Sequence, residues 1–314
     1  MKKFSPPVSW KPGLYSNIPF EAYLGIDAAN SSFLKALMRS PAHAQFDKLN
    51  PKPSTESQRV GRIVHAGVLE PMRFKRDFKA MPAYEIHPYN KTQNGERSTS
   101  KNTKFYKDKA EKFLEKYKKR EIISKEDFEL ATAARKAFMQ FDISRAILDR
   151  PGPVEQTILW YENVGEESFQ PQQVFCKIRP DKWLIIEDEL IVIDVKTTLN
   201  AAPKPFGFWK EIDKYRYDIQ AAMYLTGFRR MMEMGLIAPY KTARFVLLAI
   251  EKEGLYAAHP HELADAWIEV GERDFKKLLA LYQECKTNNV WPLWGSEASI
   301  AHPPHYRMQE GFDD

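Results

Sequence analysis

Cysteine is nearly missing from this chain, with Cys176 and Cys285 the two among 314 residues. They permit one disulfide at most, which reads as a reduced, cytoplasmic protein. Long apolar runs are also missing. Residues 245–250 (FVLLAI) make up one of the longest, against the about twenty residues of a membrane span, so no membrane association is expected. The N-terminal MKKFSPP has the lysines of a signal peptide without the apolar stretch behind them. No repeat at a period of about 20–50 residues recurs, which argues against solenoids and propellers. There is no glycine-rich phosphate loop of the Walker type, so no ATP chemistry is expected. Nor is there a Gly-x-Ser-x-Gly nucleophile motif.

What remains is a globular composition, 43 % apolar, 13 % aromatic and 28 % charged. A chain of this length buries a sizeable core without staples. The net charge of +5 is unevenly spread. Residues 101–120 carry nine basic and three acidic side chains, while the rest of the chain carries 38 and 39. A basic segment of this kind can track a phosphate backbone. It also fits a solvated helix face, with Phe105, Phe113 and Tyr117 spaced to pack inward.

Residues 1–12 read as a flexible arm, 13–295 as one composite domain, and 296–314 as a C-terminal tail. The first part of the domain, 13–150, is helical. A helix opened by Ser31-Ser32 stops before Pro41, and another over 57–69 is closed by Pro71. The polar stretch 85–104 reads as a long loop, followed by helices over 104–119 and 124–148. From 151 the texture changes to short β-branched and aromatic runs, at 155–161, 174–179, 182–187 and 190–196. A helix over 210–234, a strand over 244–250, a short strand near Tyr256 and a helix over 261–286 complete an α/β (α+β) layer architecture. His259, His261, His302 and His305 flank prolines and read as surface loops rather than metal ligands.

The chemistry concentrates in Leu190-Ile191-Val192-Ile193-Asp194-Val195-Lys196-Thr197-Thr198. Strand alternation puts Asp194 and Lys196 on one face, about 7 Å apart. Charges ending an apolar strand are costly to bury unless they serve something. The same acid-x-Lys spacing at Asp77, Asp274 and Glu284 lies in helical or polar surroundings. Asp194 differs because Asp181 lies at a turn between two strands just upstream. If those strands are antiparallel neighbours, the two carboxylates converge. Two carboxylates and a lysine make a hard, oxygen-rich site suited to Mg²⁺, with Mn²⁺ as a substitute. On the following helix Tyr217, Gln220 and Tyr224 form one stripe. Earlier, Gly61-Arg62-Ile63-Val64-His65-Ala66-Gly67 places His65 on an apolar helix.

Together, Gly61-x-x-x-His65, Glu155, Arg179-Pro180-Asp181, Asp194-Val195-Lys196-Thr197-Thr198 and Gln220-x-x-x-Tyr224 resemble, in that order, the PD-(D/E)XK nuclease superfamily. More narrowly they look like the catalytic domain of RecE-type exonuclease VIII, from about residue 13 to 295 and most loosely over 75–150. The resemblance implies a central mixed β-sheet flanked by helices behind a helical N-terminal half. It implies a Mg²⁺-dependent exonuclease that degrades the 5′-ended strand of linear duplex DNA and leaves a 3′ single-stranded tail. His65, Asp181, Asp194 and the Val195 carbonyl would bind metal, with Glu155 assisting. Lys196 would orient or activate the attacking water, and Gln220 and Tyr224 would buttress the site. A ring-like homo-oligomer, an annealing partner of the RecT type and a phage or prophage origin in a bacterial cytoplasm belong to the same picture. Iron–sulfur nucleases of a neighbouring branch need four cysteines, so a cluster is excluded. A RecB-like 3′-directed or single-strand nuclease and a non-catalytic DNA-binding module of the same fold are the alternatives. With a DNA substrate, Lys116, Lys118 and Lys119 become candidate backbone contacts whose charge reversal flattens the salt dependence of binding. Arg59 and Arg62, beside His65, become candidates for a terminal phosphate.

Overall fold

The computed structural model describes residues 7, 9–82, 104–165, 172–294, 300 and 301. The stretch 85–104, except Lys104, and His302 and His305 lie outside them.

The N-terminal half opens with strand β1 (Gly13–Tyr15) and helix α1 (Phe20–Leu24). Helix α2 (Ser31–Leu37) is capped by Asn30, whose side chain accepts the Phe33 N–H at 3.0 Å, so Ser31 and Ser32 lie inside the helix. Helix α3 (Pro41–Leu49) and helix α5 (Pro71–Asp77) each begin with proline, whose missing N–H would be unpaired there anyway. Between them α4 (Glu56–Leu69) opens with a capping box of Thr55 and Gln58. Strand β2 (Phe78–Ala80) and helix α6 (Lys104–Lys116) precede β3 (Glu121–Ile123), which pairs parallel to β2. The expected helix over 124–148 is two helices, α7 (Lys125–Phe138) and α8 (Asp142–Leu148).

The second half carries β4 (Thr157–Val164), β5 (Gln172–Ile178), β6 (Lys182–Ile186) and β7 (Glu189–Thr198). Helices α9 (Phe208–Lys214) and α10 (Tyr217–Glu233) replace the single helix expected over 210–234. Arg216 between them is left-handed (φ 50°), which stops one helix and starts the next. Its guanidinium bonds the buried Asp218 in the first turn of α10 at 2.8 Å and Asp274 at 2.5 Å. Strands β8 (Thr242–Glu251) and β9 (Ala258–Glu262) and helix α11 (Asp265–Asn288) end the order. Residues 259–261 are therefore strand, not surface loop. His261 is buried and faces the Ala201 carbonyl, because β8 supplies a ladder edge for this proline-containing segment.

The strands form a mixed sheet in the order β6-β7-β8-β9 and an antiparallel sheet in the order β1-β4-β5. Strands β6 and β7 are antiparallel, β7 and β8 parallel, and β8 and β9 antiparallel. Pro180, which has no N–H to donate, separates β5 from β6, and the chain passes there from one sheet to the other. Alternation along β7 and β8 divides their side chains between two cores. Leu190, Val192, Phe245 and Leu247 pack with α2, α10 and α11, whereas Ile191, Ile193, Val195, Val246 and Leu248 pack with α4, α7 and α8. The mixed sheet is thus covered on both faces. No helix among the described residues is long and apolar enough to cross a membrane.

Candidate active site

The β6–β7 register sets Lys182 opposite Ile193, so Asp181, one residue before β6, faces the segment around Asp194 and Val195. The Val195 N–H donates to Asp181 Oδ2 at 2.6 Å. The carboxylates therefore meet through β6 and β7. They do not meet through the two strands flanking Asp181, as the sequence order implies, because β5 and β6 belong to different sheets.

Asp194 and Lys196 lie on one face of β7 and form an ion pair, with 5 % and 20 % of their side chains exposed. From α10 on the same face, Gln220 Nε2 donates to Asp194 Oδ1 at 2.7 Å, and Gln220 Oε1 accepts from Lys196 Nζ at 3.3 Å. This explains a glutamine on a buried helix face: its two ends fix a carboxylate and an ammonium at once. Tyr224, one turn further, donates to the Arg179 carbonyl at 3.4 Å and buttresses the bend that carries Asp181.

His65 approaches from the opposite face, on α4. Its Nε2 lies 2.8 Å from the Val195 carbonyl and its Nδ1 lies 3.3 Å from Asp181 Oδ2. Both partners are acceptors, so each ring nitrogen holds a proton. Burial works against the imidazolium, but Asp181 and Asp194 outweigh it and raise the His65 pKa to about 9. Burial and Asp194 push the Asp181 carboxyl upward against the pull of His65 and Lys196. Burial opposes the Lys196 charge too, yet Asp194, Tyr217 and Asp181 raise its pKa overall. Lys196 is therefore an ammonium at neutral pH, suited to orienting water and stabilising negative charge rather than removing a proton.

The remaining candidates lie further out. Glu155 is joined to Asp181 through its backbone N–H (2.9 Å), but its carboxylate is held by Arg179 at 3.0 Å. The sequence assigns no role to Arg179, which also donates to the Ile18 carbonyl at 2.8 Å and so ties the bend to the N-terminal segment. Arg59 pairs with Glu56 and Asp127, and Arg62 with Glu121, so both guanidinium groups are already committed to carboxylates. Lys118 pairs with Glu115 at 2.6 Å, while Lys116, Lys79 and Arg120 surround the Tyr117 ring. The Phe113 and Tyr117 ring centres lie 4.7 Å apart with the planes tilted by 53°, so these rings pack on each other and on cations. Lys119 is exposed, and the Phe105 side chain lies outside the described residues. Lys35, on α2, gives no signal in the sequence, yet its Nζ stands 5.5 Å from the Tyr217 ring that Lys196 also touches.

The donor set of two buried carboxylates, an imidazole and a backbone carbonyl is hard and oxygen-rich, which fits Mg²⁺ or Mn²⁺. Among the described residues no three His, Cys, Asp or Glu side chains close a ligand shell by themselves. The Val195 carbonyl, 2.8 Å from His65 Nε2, would add a further oxygen to the set. Asp194 Oδ2 is buried, makes no aligned hydrogen bond and is met by the Lys196 ammonium, so it is the acceptor with most to gain from a cation. The residues fit a divalent ion, provided that His65 gives up its Nε2 or Nδ1 proton.

This requirement gives a pH dependence. His65 has a pKa of about 9 here against 6.5 when unfolded. Its contribution, roughly 3 kcal/mol, is complete below pH 6.5 and lost as pH rises through 9. The metal-free protein should lose thermal stability over that window, and stabilisation by Mg²⁺ should grow over it as the proton leaves. Melting curves at pH 6.5, 7.5 and 9 with and without Mg²⁺ check this, and a Mg²⁺ effect independent of pH would remove His65 from the ligand set.

The sequence matches the model of the family described as PDDEXK-like domain of unknown function (DUF3799) over residues 30–301. The chain belongs to this family. The matched region contains every residue of the cluster, from His65 to Tyr224. The fold of this DUF3799 protein is similar to the crystal structure of a "Putative exonuclease" from Eubacterium rectale, with a TM-score of 0.51 and 14 % identity over 93 % of this chain and 95 % of that one. A second crystal structure, of SSO0001, is similar at a TM-score of 0.26 and 19 % identity, over 56 % of this chain and 74 % of that one. No curated protein matches the sequence. The mixed sheet with its flanking helices is a PD-(D/E)XK core, the fold of a nuclease superfamily.

Proposed function

We propose that this PDDEXK-like protein is a Mg²⁺-dependent exodeoxyribonuclease of the RecE type, which degrades the 5′-ended strand of linear double-stranded DNA. The observation that carries the reading is the convergence of His65, Asp181, Asp194, Lys196 and Gln220 at one end of β7. Asp181, Asp194, His65 and the Val195 carbonyl would hold the ion, which supplies charge stabilisation for a phosphoryl group and lowers the pKa of water. Lys196 directs an N–H at the attacking water or a phosphate oxygen. Gln220 fixes Lys196 and Asp194 relative to each other, so the ammonium is already oriented when DNA arrives. Tyr224 and Arg179 brace the bend, and Glu155 acts through Arg179.

The resemblance to RecE extends the proposal to a ring-like homo-oligomer, a RecT-type annealing partner and a recombination role. Polarity is the sharpest test. Linear duplex DNA labelled at the 5′ end on one sample and the 3′ end on another is digested with Mg²⁺ and sampled early. Early release of the 5′ label is expected. Early release of the 3′ label would keep the site but assign a RecB-like direction.

A further inference from the structure

Beside the cluster, three aromatic rings form a column that the chemistry above leaves unused. Phe208 is fully buried; its ring centre lies 6.2 Å from that of Tyr217, and Tyr217 lies 5.8 Å from Tyr215, with interplanar angles of 27° and 29°. The column runs from the core to the surface, where 46 % of Tyr215 is exposed. Three ammonium groups line it. Lys196 and Lys35 approach the Tyr217 ring centre at 4.7 and 5.5 Å, and Lys214 approaches that of Tyr215 at 5.1 Å.

Lys196 is paired with Asp194, but the other two ammonium groups lack such a partner. Lys35 donates to the Tyr215 carbonyl at 3.0 Å, and among the described residues neither Lys35 nor Lys214 forms an ion pair with a carboxylate. The acids nearby are otherwise engaged: Glu211 accepts from Thr198 at 2.8 Å, and Asp218 is bound by Arg216. Burial and the proximity of Lys196 lower the Lys35 pKa to about 8, against the opposing pull of Asp194 and Asp218. An exposed ring that ends such a column, with the Lys35 and Lys214 ammonium groups beside it, is an arrangement on which single-stranded nucleic acid stacks.

We infer that the Phe208–Tyr217–Tyr215 column, with Lys35 and Lys214, is the platform that holds the strand beside the cut. A base continues the column by stacking on Tyr215, and the phosphate next to the scissile one sits between Lys35 and Lys196. The inference rests on the nuclease reading for its substrate, and it assigns Lys35, Tyr215 and Lys214 as positioning residues. The platform takes an unpaired strand, since stacking on Tyr215 needs a free base face. It thereby favours a terminus whose bases have parted.

The test uses the full chain and a fluorescent 12-nucleotide single strand in EDTA, so that binding is read apart from cleavage. Tyr215→Ala and Lys35→Gln should each weaken binding about tenfold, and Tyr215→Phe should restore it. In Mg²⁺ the same substitutions should raise KM for DNA by a similar factor and leave kcat within about twofold. Tyr215 is exposed, and the amide introduced by Lys35→Gln still offers a donor to the Tyr215 carbonyl. Melting temperatures should therefore stay at the wild-type value and verify folding. Wild-type affinity and KM in both variants would overturn the platform. An inactive wild-type protein that still binds the strand in a Tyr215-dependent way would overturn the nuclease reading and keep the platform.

Discussion

Replacing Lys196 with alanine should slow Mg²⁺-dependent cleavage of linear duplex DNA about a thousandfold while leaving the protein folded. A single oriented cation or donor at a developing negative charge is worth roughly 10²–10³ in rate. Lys196 is held for this role from two sides, by Asp194 and by Gln220. The substitution also frees Asp194 Oδ2 from the Lys196 ammonium, so Mg²⁺ affinity should be kept or increased. That divergence separates a chemical role from a structural one, because a collapsed site would lose both. Single-turnover rates and calorimetric Mg²⁺ titration measure the two quantities. A rate within tenfold of wild type would remove Lys196 from the reaction.

The largest effect on stability is expected at Gly271, in α11. A Cβ there would collide with the Asp218 carbonyl, lying 2.5 Å from its carbon and closer still to its oxygen, and both are backbone atoms at the start of α10. Neither helix can yield by rotating a side chain, so Gly271→Ala should cost about 3 kcal/mol, against a helix-propensity gain of about 1. The strain falls on the turn that holds Asp218 and Arg216, next to Tyr217 and Gln220. Gly61, the first residue of the histidine motif, is the contrast. A Cβ there would meet only Thr197 Oγ1 at 3.8 Å, an ordinary contact, so Gly61→Ala should be neutral or mildly stabilising. Urea midpoints of the two variants check the pair, and equal midpoints would refute the close crossing of α10 and α11.

Much of the site is legible in the sequence because its residues occupy special places on regular elements. Asp194 and Lys196 interrupt an apolar strand, and Gln220 interrupts a buried helix face, so each stands out against its own periodicity. Asp181 stands out by its turn, although the turn suggests the wrong strand pairing: proline ends β5, and nothing local reveals that β6 starts another sheet. The helix over 210–234 reads as continuous because left-handed Arg216 is held by Asp274, 58 residues away in sequence. Lys35 escapes notice for the same reason. On α2 it looks like any surface lysine, and only the packing of α2 against α10 brings it to Tyr217. In the histidine motif, Gly67 is the tight glycine. A Cβ there would lie 2.8 Å from Ala131 on α7, a contact between elements that spacing alone does not disclose.

The central claim is that Asp181 and Asp194 hold a divalent ion that cleaves DNA. It is tested most directly by acid-soluble nucleotide release from linear duplex DNA, comparing wild-type protein with Asp194→Asn in Mg²⁺, Mn²⁺ and EDTA. The account predicts release by the wild-type protein in either metal, none in EDTA, and a loss of at least about a hundredfold in the variant. Intact DNA in both metals, or release that survives EDTA or the substitution, would contradict it.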